Sequence, residues 1–226
     1  MIFTARSVPG NGLYRPQPTI FESKDGKTVA VITNWGNATR SSLISEKIES
    51  VLTPQLFDPD KTQAVRKILS ASGSIELKLG EALRSANDEL YKRENEKIWK
   101  TVIEVTVIHL ESGVLYWAQA GMPHLLMSTN ISAGRGAEFL TVSPDASAIF
   151  SQPIPLPTSG LGLDRIPNIN SGSVPVKKGI KLAFLSIPGK ALPVLSQTEF
   201  QVDHLIESFS AIYPDQPSWI AVTEVS

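Results

Sequence analysis

Few residues in this chain could carry chemistry. There are three histidines and no cysteine. Without thiols there is no thiolate metal ligand, disulfide or cysteine nucleophile. His109 ends a long apolar run, His204 stands beside Asp203 in a helical pattern, and His124 follows the step Gly121-Met122-Pro123. No pair has a spacing such as His-x-x-x-His, so a zinc site is not expected. His109 reads as a half-buried sheet residue, His204 as a surface residue, and His124 as the best single candidate for a functional side chain. Ser171-Gly172-Ser173 lacks the flanks of a nucleophile elbow. Gly134-Arg135-Gly136 lacks the lysine and hydroxyl that follow a phosphate loop. The remaining candidates are loop carboxylates, Asp25, Asp145, Asp164 and Asp215, of which Asp25 is explained by turn geometry in Lys24-Asp25-Gly26-Lys27.

The stretch Trp99–Thr129 must position any site. Its odd positions up to His109 run Trp, Thr, Ile, Val, Val, His, while the even ones include Lys100, Glu104 and Thr106, the period of a strand with one more apolar face. Glu111-Ser112-Gly113 turns the chain, Val114–Ala120 returns as a second strand, and Gly121-Met122-Pro123 forces a loop after it. Upstream, strands are expected at Ile2–Ser7, Thr19–Ser23 and Thr28–Thr33. Asp25-Gly26 supplies a primed hairpin turn between the last two.

Ile44, Ile48 and Val51 mark a helix closed by Pro54, and Asp58-Pro59 opens a second ending at Gly73. Ile75, Leu79, Leu83, Ala86 and Leu90 stripe a third, with the charged run Lys92–Lys97 as its solvated end. Strands follow at Leu125–Ser128, Glu138–Val142 and Lys181–Leu185. A helix carrying Val202, Leu205 and Phe209 stops at Pro214, and Trp219–Glu224 is a last strand. The region 143–175 reads as a long irregular loop or lid. Helices segregated from a largely antiparallel sheet system predict an α+β fold of two sheets packed face to face with helices outside, one domain over 1–226.

Composition narrows the function. At a net charge of -1 over 226 residues, with no basic run beyond Lys177-Lys178 and the Lys92-Arg93 region, nucleic acid is not an expected partner. Met1-Ile2-Phe3-Thr4-Ala5-Arg6 is not a basic segment leading into an apolar one, and no stretch reaches bilayer length, so a soluble, cytoplasmic protein without membrane insertion is expected.

The order of landmarks resembles the metal-dependent protein phosphatases of type 2C and, more closely around Trp99–Thr129, their bacterial sporulation stage II E-type relatives. Val31-Ile32-Thr33-Asn34-Trp35-Gly36-Asn37-Ala38 stands where that family has a strand ending in Asp-Gly-x-Gly-Gly. Tyr116-Trp117-Ala118-Gln119-Ala120-Gly121-Met122-Pro123-His124-Leu125-Leu126 is similar to Tyr-Ala-Asn-Ala-Gly-His-x-Pro-x-Leu-Leu. Gly179-Ile180-Lys181-Leu182-Ala183-Phe184-Leu185-Ser186-Ile187-Pro188-Gly189 resembles Gly-Asp-x-Leu-x-Leu-x-Ser/Thr-Asp-Gly, and Asp215-Gln216-Pro217-Ser218 falls where Asp-Asp/Asn-x-Thr is expected.

The resemblance implies a four-layer α-β-β-α sandwich. It also implies two Mg²⁺ or Mn²⁺ ions held by loop aspartates, because two hard cations close together need several carboxylates. Those positions fall here on Thr33 or Asn34, on Met122, on Ile187 or Pro188, and on Gln216 or Pro217, none of which carries a carboxylate. Asp215 is the one possible residual ligand. Trp35, with Met122 and Ile187, puts apolar bulk where a substrate would approach, and Trp35, Gly36, Gly121, His124 and Gly189 are the candidate cleft or contact residues.

The expectation is a catalytically inactive, phosphatase-like domain without a metal cofactor. It would bind a protein partner, such as a kinase or a phosphoprotein, in signalling or secretion. The alternative is a divergent metal-dependent serine/threonine phosphatase with a shifted ligand set drawn from Asp215, Asp25, Asp164 and Asp145.

Overall fold

The strand Thr101–Glu111 (β4) is buried on both faces over most of its length, and the rest of the architecture explains why. The computed structural model describes residues 1, 3–10, 15–36, 40–52, 74–128, 137–139, 157, 159–186 and 200–225. Along them run β1 (Phe3–Val8), β2 (Thr19–Glu22), β3 (Thr28–Gly36), α1 (Ser41–Leu52), α2 (Ile75–Leu90), β4, β5 (Val114–Ala120), β6 (His124–Ser128), β7 (Ala137–Phe139), β8 (Asn170–Pro175), β9 (Lys181–Ser186), α3 (Val202–Ile212) and β10 (Ser218–Glu224). One five-stranded sheet has the order β2-β3-β4-β5-β8 and the other β1-β10-β9-β6-β7, and neighbours in each pair antiparallel.

Side-chain alternation along the strands builds the layers. Ile103, Val105 and Val107 of β4 pack with Ile44 and Ile48 of α1 and Leu79, Leu83 and Leu90 of α2 on the outer face of the first sheet. Val29, Val31 and Ile108 point the other way, against Leu125, Leu182, Phe184 and Trp219 of the second sheet. Leu126, Leu185 and Ile220 then meet Leu205 and Phe209 of α3 on the far side. The result is the expected α+β, four-layer α-β-β-α sandwich of two antiparallel sheets.

Several expectations need correcting. The strand begins at Thr101 and not at Trp99, and Ile98 and Trp99 are 72% and 63% exposed. The even face of β4, read as the more polar side, looks into the space between the sheets and not into water. Of the two hairpins, the primed turn is at Ser112-Gly113, where both residues have positive φ (52° and 75°). In the β2–β3 turn the positive φ belongs to Gly26, and Asp25 Oδ1 accepts from Ser23 Oγ at 2.5 Å and from the Lys27 N–H at 3.1 Å.

The charged run after α2 is not only a solvated end. Its chain continues through a π-helical turn, Tyr91–Asn95, whose buried Asn95 donates to the carbonyls of Thr101 and Gly162. Within the stretch read as an irregular lid, residues 170–175 form β8, paired along β5, and Leu161 bridges to Ile103. The expected helix from Asp58 to Gly73, the first part of that lid, and Asp145, Ile187, Pro188 and Gly189 lie outside the described residues.

Candidate functional site

Strand register gathers the predicted loops at one end of the sandwich. Gly36 of β3 pairs with Thr101 at the start of β4, His124 at the start of β6 with Leu185 near the end of β9, and Ser186 with Trp219 at the start of β10. The step Gly121-Met122-Pro123 carries the chain from β5 in one sheet to β6 in the other, through a cis Met122-Pro123 bond. Thr106 Oγ1 and Gln119 Nε2 fix that crossover by donating to the Pro123 carbonyl, at 2.5 and 2.8 Å.

At the centre of this end lies a buried polar cluster. Glu104, on the inward face of β4, accepts at Oε2 from Arg15 at 2.6 Å and from the Trp35 indole N–H at 2.8 Å. Its Oε1 accepts from the Met122 backbone N–H at 3.3 Å. The Arg15 guanidinium also donates through Nε to Ser186 Oγ at 2.7 Å and lies 5.3 Å from the centre of the Trp35 ring, within cation–π range. The side chains of Arg15 and Glu104 are 8% and 4% exposed, so this is a buried ion pair reinforced by the bonds from Arg15 to Ser186 and from Trp35 and Met122 to Glu104.

Gly121 makes room for the cluster. Its φ is +75°, and a Cβ there would stand 2.8 Å from Glu104 Cγ and 2.6 Å from the Ser159 carbonyl. Gly36, at φ +119°, lets β3 pass the Lys100 carbonyl, which a Cβ would strike.

The predicted site residues divide around this cluster. Thr33 is buried directly opposite Glu104 in the β3–β4 register. Asn34 turns to the other face, where its Nδ2 donates to Ser41 Oγ at 3.3 Å. Met122 contributes its backbone N–H to Glu104, with its side chain buried. Pro217 is buried while Asp215 is exposed, and the backbone of both packs against Gly10 so closely that a Cβ at Gly10 would clash with it. The Gln216 N–H is bonded to the Tyr213 carbonyl.

His124 is buried and its pKa falls to about 4, first because burial disfavours the charged form and then because Arg15 repels it. His109 is lowered too, chiefly by burial. It is hydrogen-bonded to Thr28 Oγ1 at 2.8 Å, at the opposite end of β3 from Trp35, as is Asp25. Strand rise puts Thr28 roughly 23 Å from Trp35, so Asp25 cannot join a ligand set at this end. Asp164 is exposed, and its backbone carbonyl accepts from Asn87 Nδ2. His204 is exposed on α3.

Comparison with solved structures identifies the fold. Over all of this chain and 98% of the other, the catalytic domain of the serine/threonine protein phosphatase PstP, solved with two manganese ions, superposes with a TM-score of 0.58 at 14% identity. PppA, described as a key regulatory component of the type VI secretion system in Pseudomonas aeruginosa, gives 0.59 at 12% identity over 99% of this chain and 97% of its own. The phosphatase domain of the cell-fate determinant SpoIIE from Bacillus subtilis gives 0.53 at 13% identity over 99% and 92%. The chain has the phosphatase 2C-like fold. No protein-family model and no curated protein sequence matches it.

The phosphatase 2C-like fold raises the question of metal. Two hard divalent ions need several anionic oxygens, and the residues at this end do not fit them. Thr33, Asn34, Met122, Gln216 and Pro217 bring no carboxylate, and the one buried carboxylate among the described residues, Glu104, is already bonded to Arg15, Trp35 and Met122. Among the described residues no group of three or more His, Asp or Glu side chains is placed to hold a metal ion.

Sequence reasoning missed Arg15 and Glu104. Glu104 had a signal, a lone acid inside a run of Val, Ile and Thr. Arg15 had none, since it lies in an irregular stretch 89 residues away in the chain.

Beside the cluster, a cleft of about 710 Å³ opens between the ends of β3 and β4 and the start of α1. Its lining includes Pro16, Trp35, Gly36, Trp99, Lys100 and Leu163. Among the described residues, no helix is long and apolar enough to cross a membrane.

Proposed function

We propose that this domain is a catalytically inactive relative of the phosphatase 2C-like enzymes that works by binding a protein partner. The observation that carries the reading is the Glu104–Arg15 pair, which closes the end of the sandwich where the fold's loops converge, while the described residues around it offer no second buried acid. Hydrolysis through two metal ions needs anionic ligands that these side chains do not supply.

Binding is supported by the surface next to that end. Ile98 and Trp99 are apolar and exposed, flanked by Lys97 and Lys100, at the lip of a cleft lined by Trp35 and Leu163. Exposed apolar side chains grouped beside a cleft mark contact surfaces. The partner class that fits a regulatory phosphatase-like domain is a kinase or a phosphoprotein, in keeping with the regulatory role of the similarly folded PppA.

The deciding assay is hydrolysis of an aryl phosphate by the purified chain with millimolar Mn²⁺. No turnover above buffer is expected. Mn²⁺-dependent turnover lost in Asp215→Ala would establish the divergent-enzyme alternative instead. For the surface, Trp99→Ala is expected to weaken an isolated partner at least tenfold while leaving the melting temperature within a degree or two, since Trp99 is largely exposed.

A further inference from the structure

The misfit between this end of the sandwich and a metal pair has a positive counterpart. The geometry points to the Arg15 guanidinium as a built-in cation that takes the place of the metal and bars divalent ions from it. This rests on the inactive reading above and adds which group holds the site and what that group does to a metal.

Arg15 lies between the two sheets and binds one residue from the inward face of each. These are Glu104 of β4 in the first sheet and Ser186 at the end of β9 in the second. Trp35, from the end of β3, supplies its ring to the guanidinium and its N–H to the same carboxylate oxygen that Arg15 holds. Trp35, Ser186 and Met122 belong to three of the loops where the resemblance places metal-binding aspartates. A bridging cation and its anionic ligand are thus both present, but the cation is covalent to the chain and carries one charge.

One charge calls for one carboxylate, and one is what the cluster contains among the described residues. A guanidinium stays ionised at any working pH and cannot accept a hydrogen bond. It therefore cannot ligate a metal, and it repels one held nearby.

Thr33 makes the idea testable. It faces Glu104 directly across the β3–β4 ladder, where paired side chains stand about 5 Å apart at Cβ. Its hydroxyl is buried with no hydrogen-bond partner among the described residues. An aspartate there would restore a second carboxylate beside the first.

The experiment compares wild type, Thr33→Asp, Arg15→Met and Arg15→Met/Thr33→Asp by Mn²⁺ calorimetry and by melting with Mn²⁺ or with EDTA. Wild type and Thr33→Asp are expected to show no Mn²⁺ binding and no change in melting with either addition. Arg15→Met/Thr33→Asp is expected to bind Mn²⁺ at least tenfold more tightly than the weakest binding the calorimetry can detect, with a melting temperature that rises on adding the metal. Arg15→Met alone is expected to melt roughly 10 °C lower, from the unpaired buried carboxylate.

If Arg15→Met does not fold, Arg15→Met/Glu104→Leu replaces the pair with apolar groups and is expected to recover most of the loss. Failure of the double replacement to recover overturns the clamp. Equal Mn²⁺ affinity with and without Arg15 in the Thr33→Asp background, absence of binding in both included, overturns the proposed exclusion. Either result leaves the inactive reading intact, whereas Mn²⁺-dependent hydrolysis by wild type removes that reading itself.

Discussion

His124 has a cost that depends on pH. In the unfolded chain its imidazole takes a proton near 6.5, and in the folded chain near 4. Between those values the unfolded state binds more protons, so stability falls as pH drops through that window and levels off below it. From pH 7.5 to 4.5 the loss from this residue is about 2 to 3 kcal/mol. His109, lowered in the same direction by burial, adds to it. Asp25 works lower: its carboxyl is held below 3.8 by the Ser23 hydroxyl and the Lys27 N–H, so its contribution is present at neutral pH and fades only in stronger acid. Urea unfolding of wild type and His124→Gln at the two pH values checks this. The variant is expected to lose markedly less stability on acidification, and equal losses would show that His124 is not the titrating group.

Turn and crossover geometry decide which loop substitutions the elements tolerate. Gly121 places the β5–β6 crossover against Glu104 and the Ser159 carbonyl at a positive φ. Gly121→Ala meets both a steric and a conformational obstacle and is expected to cost about 2 to 4 kcal/mol by denaturant unfolding. Ser112 bears a φ of 52° in an exposed two-residue hairpin turn, the conformation that asparagine and glycine adopt more readily. Ser112→Asn is expected to raise stability by a few tenths of a kcal/mol, to about 1, seen as a melting increase of one to three degrees. Helix stripes such as Leu79-Leu83-Leu90 and alternating strands such as β3 were legible in the sequence because one period governs each. The even face of β4 was not, because alternation tells apolar from polar but cannot tell water from a polar cluster between two sheets. Asn95 was hidden for a similar reason, a buried polar side chain inside a charged run.

At the scale of the whole molecule, two cohesive layers hold the sheets together, and they differ in kind. At the loop end the contact is Arg15 with Glu104, Trp35 and Ser186, whose desolvation offsets much of its attraction. Over most of the remaining described residues it is apolar, apart from polar side chains such as Thr106 and Gln119, and its centre is Phe184, fully buried on β9 between β10 and β6, its ring 5.9 Å from that of Phe3 on β1. Such a side chain shares surface with several strands, so its truncation leaves a cavity that no single loop can collapse into. Phe184→Ala is therefore expected to destabilise the chain by about 3 to 5 kcal/mol, lowering the melting temperature by on the order of 10 °C. Because the mutation acts on the interface between the sheets and not on one helix, the unfolding transition should stay single and simply move to lower urea. A cost below about 1 kcal/mol would mean that the layer between the sheets is not the one on which the fold depends.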